Sequence, residues 1–262
     1  MPLTELKGTG IYWREDGDPD GAPIVFANAL GTDHRLWDGV LSYLPAGLRV
    51  IRYDKRGHGL SDCPPRPYSM GTLVSDAERL LDHLQLRDCL FVGISIGGMI
   101  AQGLAVKRLD LVRAVVLSNT AAKIGTHGTW DDRIATVESG GIEALADGTM
   151  ERWFSKPFRA TPDMRTWRHM LTRTPVEGYL GCMAAIRGTD FYTPTSGLTL
   201  PTMVIAGTED GSTPPDLVRE TAELIKGARF ELMRGAGHLP CVEQPKAYAA
   251  LLADFARSTG HI

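Results

Sequence analysis

Residues Phe91–Gly98 read F-V-G-I-S-I-G-G and contain G-x-S-x-G, with Ser95 between Gly93 and Gly97. Leu90–Val92 has the apolar character of a short buried strand. From Ile96 the chain reads I-G-G-M-I-A-Q-G-L-A, a helix with small residues in its first turn. A serine at such a strand-to-helix turn is held in a tight, strained backbone, and the flanking glycines make room for it. The hydroxyl is expected to point into solvent at the C-terminal edge of a sheet. The unpaired N–H groups of the helix start favour negative charge there. Taken alone, the motif also fits a close helix–strand contact in a glycine-rich loop. The rest of the chain decides between the two.

Outward from this turn, strands and helices alternate. Strands are predicted at Ile11–Arg14, Ile24–Ala27, Val50–Tyr53 and Ala114–Ser118, and helices at Leu36–Leu44 and Met70–Leu84. This alternation indicates βαβ units, a mostly parallel sheet flanked by helices and right-handed crossovers. After Asn119 the pattern changes. Residues 123–194 hold several short helical segments, clearest at Met150–Phe154, Met164–Arg173 and Gly178–Ile186, and no convincing strand. Alternation resumes with Thr202–Ala206, Asp216–Ile225, Arg229–Met233 and Pro245–Ala256. The expected organisation is a core of residues 1–122 and 195–262 with a helical cap, 123–194, inserted as a lid.

The 262 residues are 43% apolar and 23% charged, enough for an ordinary globular core. A net charge of -3 makes no electrostatic case for nucleic acid or an anionic membrane. The first residues, M-P-L-T-E-L-K, lack the features of an export signal, and no apolar run approaches a membrane span. A cytoplasmic location is expected. Cys63, Cys89, Cys182 and Cys241 form no C-x-x-C pair, which argues against a zinc or redox centre and for free thiols. Cys89 is assigned to core packing. Nothing in the pattern argues for assembly, and a monomer is expected.

Ser95 needs a general base, because a free hydroxyl is a poor nucleophile at neutral pH. His238 follows the strand Arg229–Met233 in G-A-G-H-L-P, where glycines let the loop return over the sheet edge. His34 and His58 also lie in loops after strands and are its rivals. In R-G-H-G, His58 fits better as a ring that pins a turn. The base needs an orienting carboxylate. Asp210 follows Thr202–Ala206, with Glu209 its only close competitor; the preceding strand ends in Ser118-Asn119, with no carboxylate. The order Ser95, Asp210, His238 is that of a hydrolase built on an α/β sheet. The backbone N–H groups of Ile96 and of Leu30, in N-A-L-G-T, are the expected oxyanion donors.

With these residues in place, the chain resembles the α/β-hydrolases over essentially its whole length, and within them the 3-oxoadipate enol-lactonases. The general motifs are N-A-L-G-T-D (Asn28–Asp33) with W-D shortly after, R-Y-D-K-R-G-H-G-L-S (Arg52–Ser61) and G-I-S-I-G-G (Gly93–Gly98). Narrower similarity lies in the cap: L-S-N-T-A-A-K-I, W-D-D-R-I-A-T-V, E-R-W-F, and E-G-Y-L-G-C-M-A-A-I-R-G-T-D-F. The acid and base loops, G-T-E-D-G-S-T-P and G-A-G-H-L-P-C, carry local substitutions that bear on specificity rather than chemistry.

The resemblance implies hydrolysis of a small anionic enol-lactone through an acyl-enzyme, with no metal or organic cofactor. Such a substrate carries a carboxylate, so the pocket should hold a cation. Arg133, in W-D-D-R-I, is the preferred partner; a surface salt bridge to Glu138 or Asp132 is the alternative. Trp130 and Trp153 are candidate pocket walls or plain cap packing. Residues 151–173 hold six cations against two acids, most of them expected to be solvated cap surface. Two other functions remain open: a general carboxylesterase or perhydrolase with the same triad, and a non-catalytic ligand-binding protein on this fold.

Overall fold

The computed structural model describes residues 3–262. Eight strands form one sheet: β1 (Leu3–Glu5), β2 (Gly10–Gly17), β3 (Ala22–Ala27), β4 (Leu48–Tyr53), β5 (Cys89–Ile94), β6 (Val112–Ser118), β7 (Thr202–Gly207) and β8 (Arg229–Met233). Their spatial order is β1-β2-β4-β3-β5-β6-β7-β8. The β1–β2 and β2–β4 pairs are antiparallel, and all later pairs are parallel. Strands β5 and β7 are buried along their whole length, Cys89 included. Both faces of a parallel sheet are covered by helices, so such strands read as continuous apolar runs.

Twelve α-helices complete the fold: α1 (Asp38–Leu41), α2 (Met70–His83), α3 (Ile96–Lys107), α4 (His127–Gly140), α5 (Glu143–Trp153), α6 (Lys156–Arg159), α7 (Met164–Thr172), α8 (Val176–Arg187), α9 (Tyr192–Ser196), α10 (Pro215–Leu224), α11 (Pro240–Glu243) and α12 (Pro245–Ser258). Helices α4–α9 all fall between β6 and β7 and form the inserted cap.

The strand order places the site. From β3 the chain moves outward to β4, then returns so that β5 pairs with the other edge of β3. Loops leaving the C-terminal ends of β3 and β5 therefore diverge, and the crevice they leave is where open α/β sheets bind ligands. The Asn28–Thr32 loop follows β3 and Ser95 follows β5.

Two local expectations change. The helix predicted over Leu36–Leu44 is a 3-10 turn, His34–Trp37, followed by the single turn α1. The buried Trp37 indole donates to Asn28 Oδ1 at 2.7 Å, which ties this turn to the β3 loop. Pro45 disfavours helical geometry at Leu44 and ends the segment. Helix α4 was not among the clearest predicted cap segments, because only Trp130 and Val137 of its 14 residues are buried and its apolar stripe is thin. It starts at a capping box in which Thr126 and Thr129 exchange side-chain bonds with each other's backbone N–H.

Candidate active site

Ser95 sits at φ +56° and ψ -121°, a left-handed conformation unusual for a residue with a side chain. The surroundings hold it there. Its N–H donates to Ser118 O at 3.0 Å, and its carbonyl accepts from Gly98 N at 2.9 Å and from Thr120 Oγ1 at 2.6 Å. A Cβ at Gly93 would overlap the Gly97 carbonyl, and one at Gly97 would overlap the Ala27 carbonyl. The glycines of the motif are thus demanded by close backbone approach. Contrary to the sequence expectation of a hydroxyl pointing into solvent, Ser95 is enclosed. Ser95 is only 8% exposed, because the cap closes over the sheet edge. Its pocket is lined by Leu30 and His238 from the core and by Trp130, Arg133, Arg152, Trp153 and Tyr179 from the cap.

The predicted acid and base come together. His238 Nδ1 lies 2.8 Å from Asp210 Oδ2, and both residues are buried. Asp210 Oδ1 accepts from the N–H groups of Ser212 and Thr213 at 2.7 and 3.0 Å. Its Oδ2 also accepts from Thr213 Oγ1 at 2.7 Å and from Asn119 Nδ2 at 2.9 Å. Burial pushes the Asp210 carboxyl up, but His238, Asn119 and Thr213 outweigh it and hold the group below the usual carboxylate range. Ionised Asp210 keeps the proton of the imidazole on Nδ1 and leaves Nε2 as the acceptor. Ser95 and His238 line the same pocket, and among the described residues no hydrogen bond links them. Serine–base contacts are often looser before substrate binds.

Asn119, passed over because it is not a carboxylate, supports the acid instead. It adopts φ +46°, and its amide spans Asp210 and the Gly237 carbonyl. An Asn directly after a strand is one of the few side chains that tolerate this backbone, and that was the available signal.

The rival residues have other partners. Glu209 is exposed. His34 Nδ1 pairs with Asp54 at 3.1 Å. His58 is fully buried, and burial together with Lys55 pushes its pKa well below the ordinary value. The neutral ring accepts the Gly31 N–H at Nε2, 2.9 Å away. It pins a turn, as expected, and the turn is the loop that carries Leu30. Lys55 grips the same loop through the carbonyls of Ala29 (2.6 Å) and Thr32 (3.2 Å). Burial pushes the Lys55 ammonium down to about 8. Asn28 Nδ2 donates to Tyr53 O at 2.8 Å. The N-A-L-G-T and R-Y-D-K-R-G-H-G stretches are therefore two halves of one scaffold. Among the described residues, the N–H groups of Leu30 and Ile96 have no partner and are free to receive an oxyanion.

Asp33, His34 and Asp54 bring one ligand atom each within 4.8 Å of one another, a spacing compatible with a metal ion. Their oxygens are already engaged. Asp33 binds the Arg35 guanidinium, and Asp54 accepts from the N–H groups of His34 (2.6 Å) and Leu60 (2.9 Å). The cluster reads as loop scaffold rather than as a ligand set.

In the cap, Arg133 lies over the Trp130 ring, 5.0 Å from its centroid, and the Trp130 indole donates to Ile124 O at 2.6 Å. The alternative pairing of Arg133 with Glu138 is not made; Glu138 binds Arg66 at 2.7 Å. Among the six cations of residues 151–173, Lys156, Arg165 and Arg173 are exposed as expected of most of them, whereas Arg152 is half-buried and lines the pocket beside Ser95. Its Nη2 donates to Thr149 Oγ1 at 3.1 Å. Burial first, and then the charge of Arg133, lower its pKa, but a guanidinium remains charged. Among the described residues no carboxylate lies within 4.0 Å of either arginine. Two half-buried cations therefore share the pocket wall with no carboxylate paired to either. The usable signal was position: Arg152 directly precedes Trp153 in E-R-W-F.

The profile described as "Alpha/beta hydrolase family" matches residues 24–251. 3-Oxoadipate enol-lactonase 2 of Acinetobacter baylyi is 35% identical over 256 residues, covering 95% of this chain and 96% of that protein. 3-Oxoadipate enol-lactonase 1 of the same organism is 33% identical, covering 98% and 96%. The crystal structure of the enol-lactonase from Burkholderia xenovorans LB400 superposes with a TM-score of 0.94 at 34% identity, over 98% of this chain and all of that one. The chain belongs to the alpha/beta hydrolase family, and these similarities set it beside the 3-oxoadipate enol-lactonases within it.

Proposed function

We propose that the protein hydrolyses 3-oxoadipate enol-lactone to 3-oxoadipate, a step of the β-ketoadipate route of aromatic-compound breakdown. Ser95 Oγ attacks the lactone carbonyl while His238 Nε2 takes its proton. The oxyanion is received by the N–H groups of Leu30 and Ile96. Such donors are commonly the largest electrostatic contribution, and losing one costs roughly 10²–10³ in rate. Collapse breaks the ring C–O bond. The leaving oxygen is that of an enolate, more stable than an alkoxide; it takes the proton from His238 Nε2, and the resulting enol becomes the ketone. His238, neutral again, deprotonates the water that attacks the acyl-enzyme, then returns that proton to Ser95 Oγ as the second carboxylate leaves. No step calls on a metal or organic cofactor.

The observation that supports the substrate assignment is the Arg133–Arg152 pair beside Ser95, with no carboxylate within 4.0 Å of either guanidinium among the described residues. The substrate's carboxylate, a planar anion, fits guanidinium groups by paired hydrogen bonds. Trp130 and Trp153 wall the pocket against water. The names of the relatives support the same reading. The test compares kcat/KM for the enol-lactone with that for a neutral short-chain aryl ester. The lactone is expected to win by orders of magnitude. A preference for the neutral ester would assign the site to a general carboxylesterase or perhydrolase instead.

A further inference from the structure

The catalytic scheme leaves a half-buried acid beside the base loop unused. Glu243 ends helix α11, five residues beyond His238, and among the described residues no cation lies within 4.0 Å of it. A carboxylate taken from water without a cation is costly unless hydrogen bonds compensate. Here they do, and they join two separate parts of the molecule. Oε1 accepts the N–H of Gly237, the residue before His238, at 2.6 Å. Oε2 accepts the N–H of Ser155 at 3.1 Å and also its hydroxyl. Ser155 belongs to the cap, two residues past the end of α5, and is buried.

Two backbone bonds reinforce the joint. The His238 N–H donates to Trp153 O at 2.8 Å, and the Gly211 N–H, next to Asp210, donates to Arg152 O at 3.0 Å. One cap segment, Arg152–Ser155, is thus fastened to both the acid loop and the base loop, and it also carries two pocket-lining side chains. Burial raises the Glu243 carboxyl above its ordinary pKa although Ser155 and Gly237 pull it back.

We propose that Glu243 is a positioning residue that couples the His238 loop to the cap, so that the imidazole reaches its working place only when the segment Arg152–Ser155 is docked. Substrate grip and base placement then form one unit. Glu243 touches no reacting atom and acts through the Gly237–His238 backbone. An error of about 1 Å in such placement costs on the order of 10²-fold in rate. The inference rests on the Ser95–His238 assignment but not on the identity of the lactone.

The experiment uses Glu243→Gln, which keeps the shape but has one carbonyl oxygen and cannot serve both partners. Turnover is measured with a neutral aryl ester, which needs neither arginine, together with the rate at which phenylmethylsulfonyl fluoride modifies Ser95. We expect kcat and the modification rate to fall together by about 10-fold to 100-fold, with KM within about threefold. Ser155→Ala removes only the hydroxyl bond and should lower kcat by roughly 2-fold to 10-fold. The double variant should be no worse than Glu243→Gln alone, since one bridge cannot be broken twice. A folded Glu243→Gln protein with kcat within about twofold of the parent, a change in KM alone, or additive losses would each overturn the proposal. If Glu243→Gln does not fold, Ser155→Ala decides on the same criterion. Failure of the reagent to modify Ser95 in the parent protein would strike the nucleophile assignment itself.

Discussion

Strand β5 is buried at all six positions and leads into α3, whereas cap helix α4 buries two residues of fourteen. Ser95, at the turn after β5, and Trp130 and Arg133 of α4 line the same pocket. Ser95 is placed by backbone: a positive φ, four flanking main-chain or hydroxyl bonds, and glycines that exclude any Cβ. Arg133 and Arg152 are placed by side chains resting on Trp130 and Thr149. The difference teaches where reaction and selectivity reside. A nucleophile must be held to a fraction of an ångström, which a densely buried sheet edge can do. An anion receptor needs charge in a sheltered place more than an exact backbone. In the proposed reading the sparsely packed α4 supplies Arg133, and the better buried α5 supplies Arg152.

The contrast can be broken most sharply at Ser95. Ser95→Ala should lower kcat by roughly 10⁴–10⁶-fold while leaving lactone KM and thermal unfolding nearly unchanged. Unaltered turnover would remove it as nucleophile. Gly97→Ala tests the backbone half of the contrast. The added methyl meets the Ala27 carbonyl, so we expect about 1–3 kcal/mol of destabilisation in denaturant unfolding and a kcat loss on the order of 10²-fold. A stable, active variant would show that the elbow is less constrained than its contacts imply.

The cap half predicts a different signature. Arg152→Ala and Arg133→Ala should each raise KM for the anionic lactone by about 10-fold to 100-fold, the range for a hydrogen bond to a charged group. Aryl-ester kinetics should barely move. Equal effects on both substrates would take the arginines out of the anion site.

The smallest effect is expected at Asn119. Asn119→Ala removes one donor to Asp210 and should lower kcat by about 2-fold to 10-fold. It also has a pH signature. The folded Asp210 carboxyl lies below its ordinary pKa. Its stabilising contribution is therefore complete above the ordinary value and is lost as pH falls through the lower folded one. Losing Asn119 shrinks that depression. The acid-unfolding midpoint, followed by circular dichroism, should move to higher pH. A midpoint that stays put or moves lower would contradict the role of Asn119.

Much of this was legible before any coordinates. The parallel strands appear as apolar runs, and G-x-S-x-G with Asp210 and His238 follows the order that the topology requires. The choice of His238 over His34 and His58 rested on loop position, and the rivals are engaged elsewhere. The helix over Leu36–Leu44 was misread because a Leu/Val/Leu spacing looks helical, while Trp37 is drawn back to Asn28 by a bond between residues nine apart. Nothing in the charge run singles out Arg152, because such a run has no periodicity to say which member turns inward.

The linear chain determined the elements, their alternation and the reactive residue types, because strand burial, helix periodicity and glycine demand are local or near-local properties. Only the tertiary structure decided that the serine is roofed over, that Lys55 and His58 hold the Asn28–Thr32 loop from a distance, that two arginines share one pocket, and that Glu243 bridges cap and base loop. The long-range contacts among these join residues 23 to 88 positions apart, as from Thr32–Lys55 to Ser155–Glu243. Their energies depend on burial and mutual distance, which no local stretch of the chain encodes.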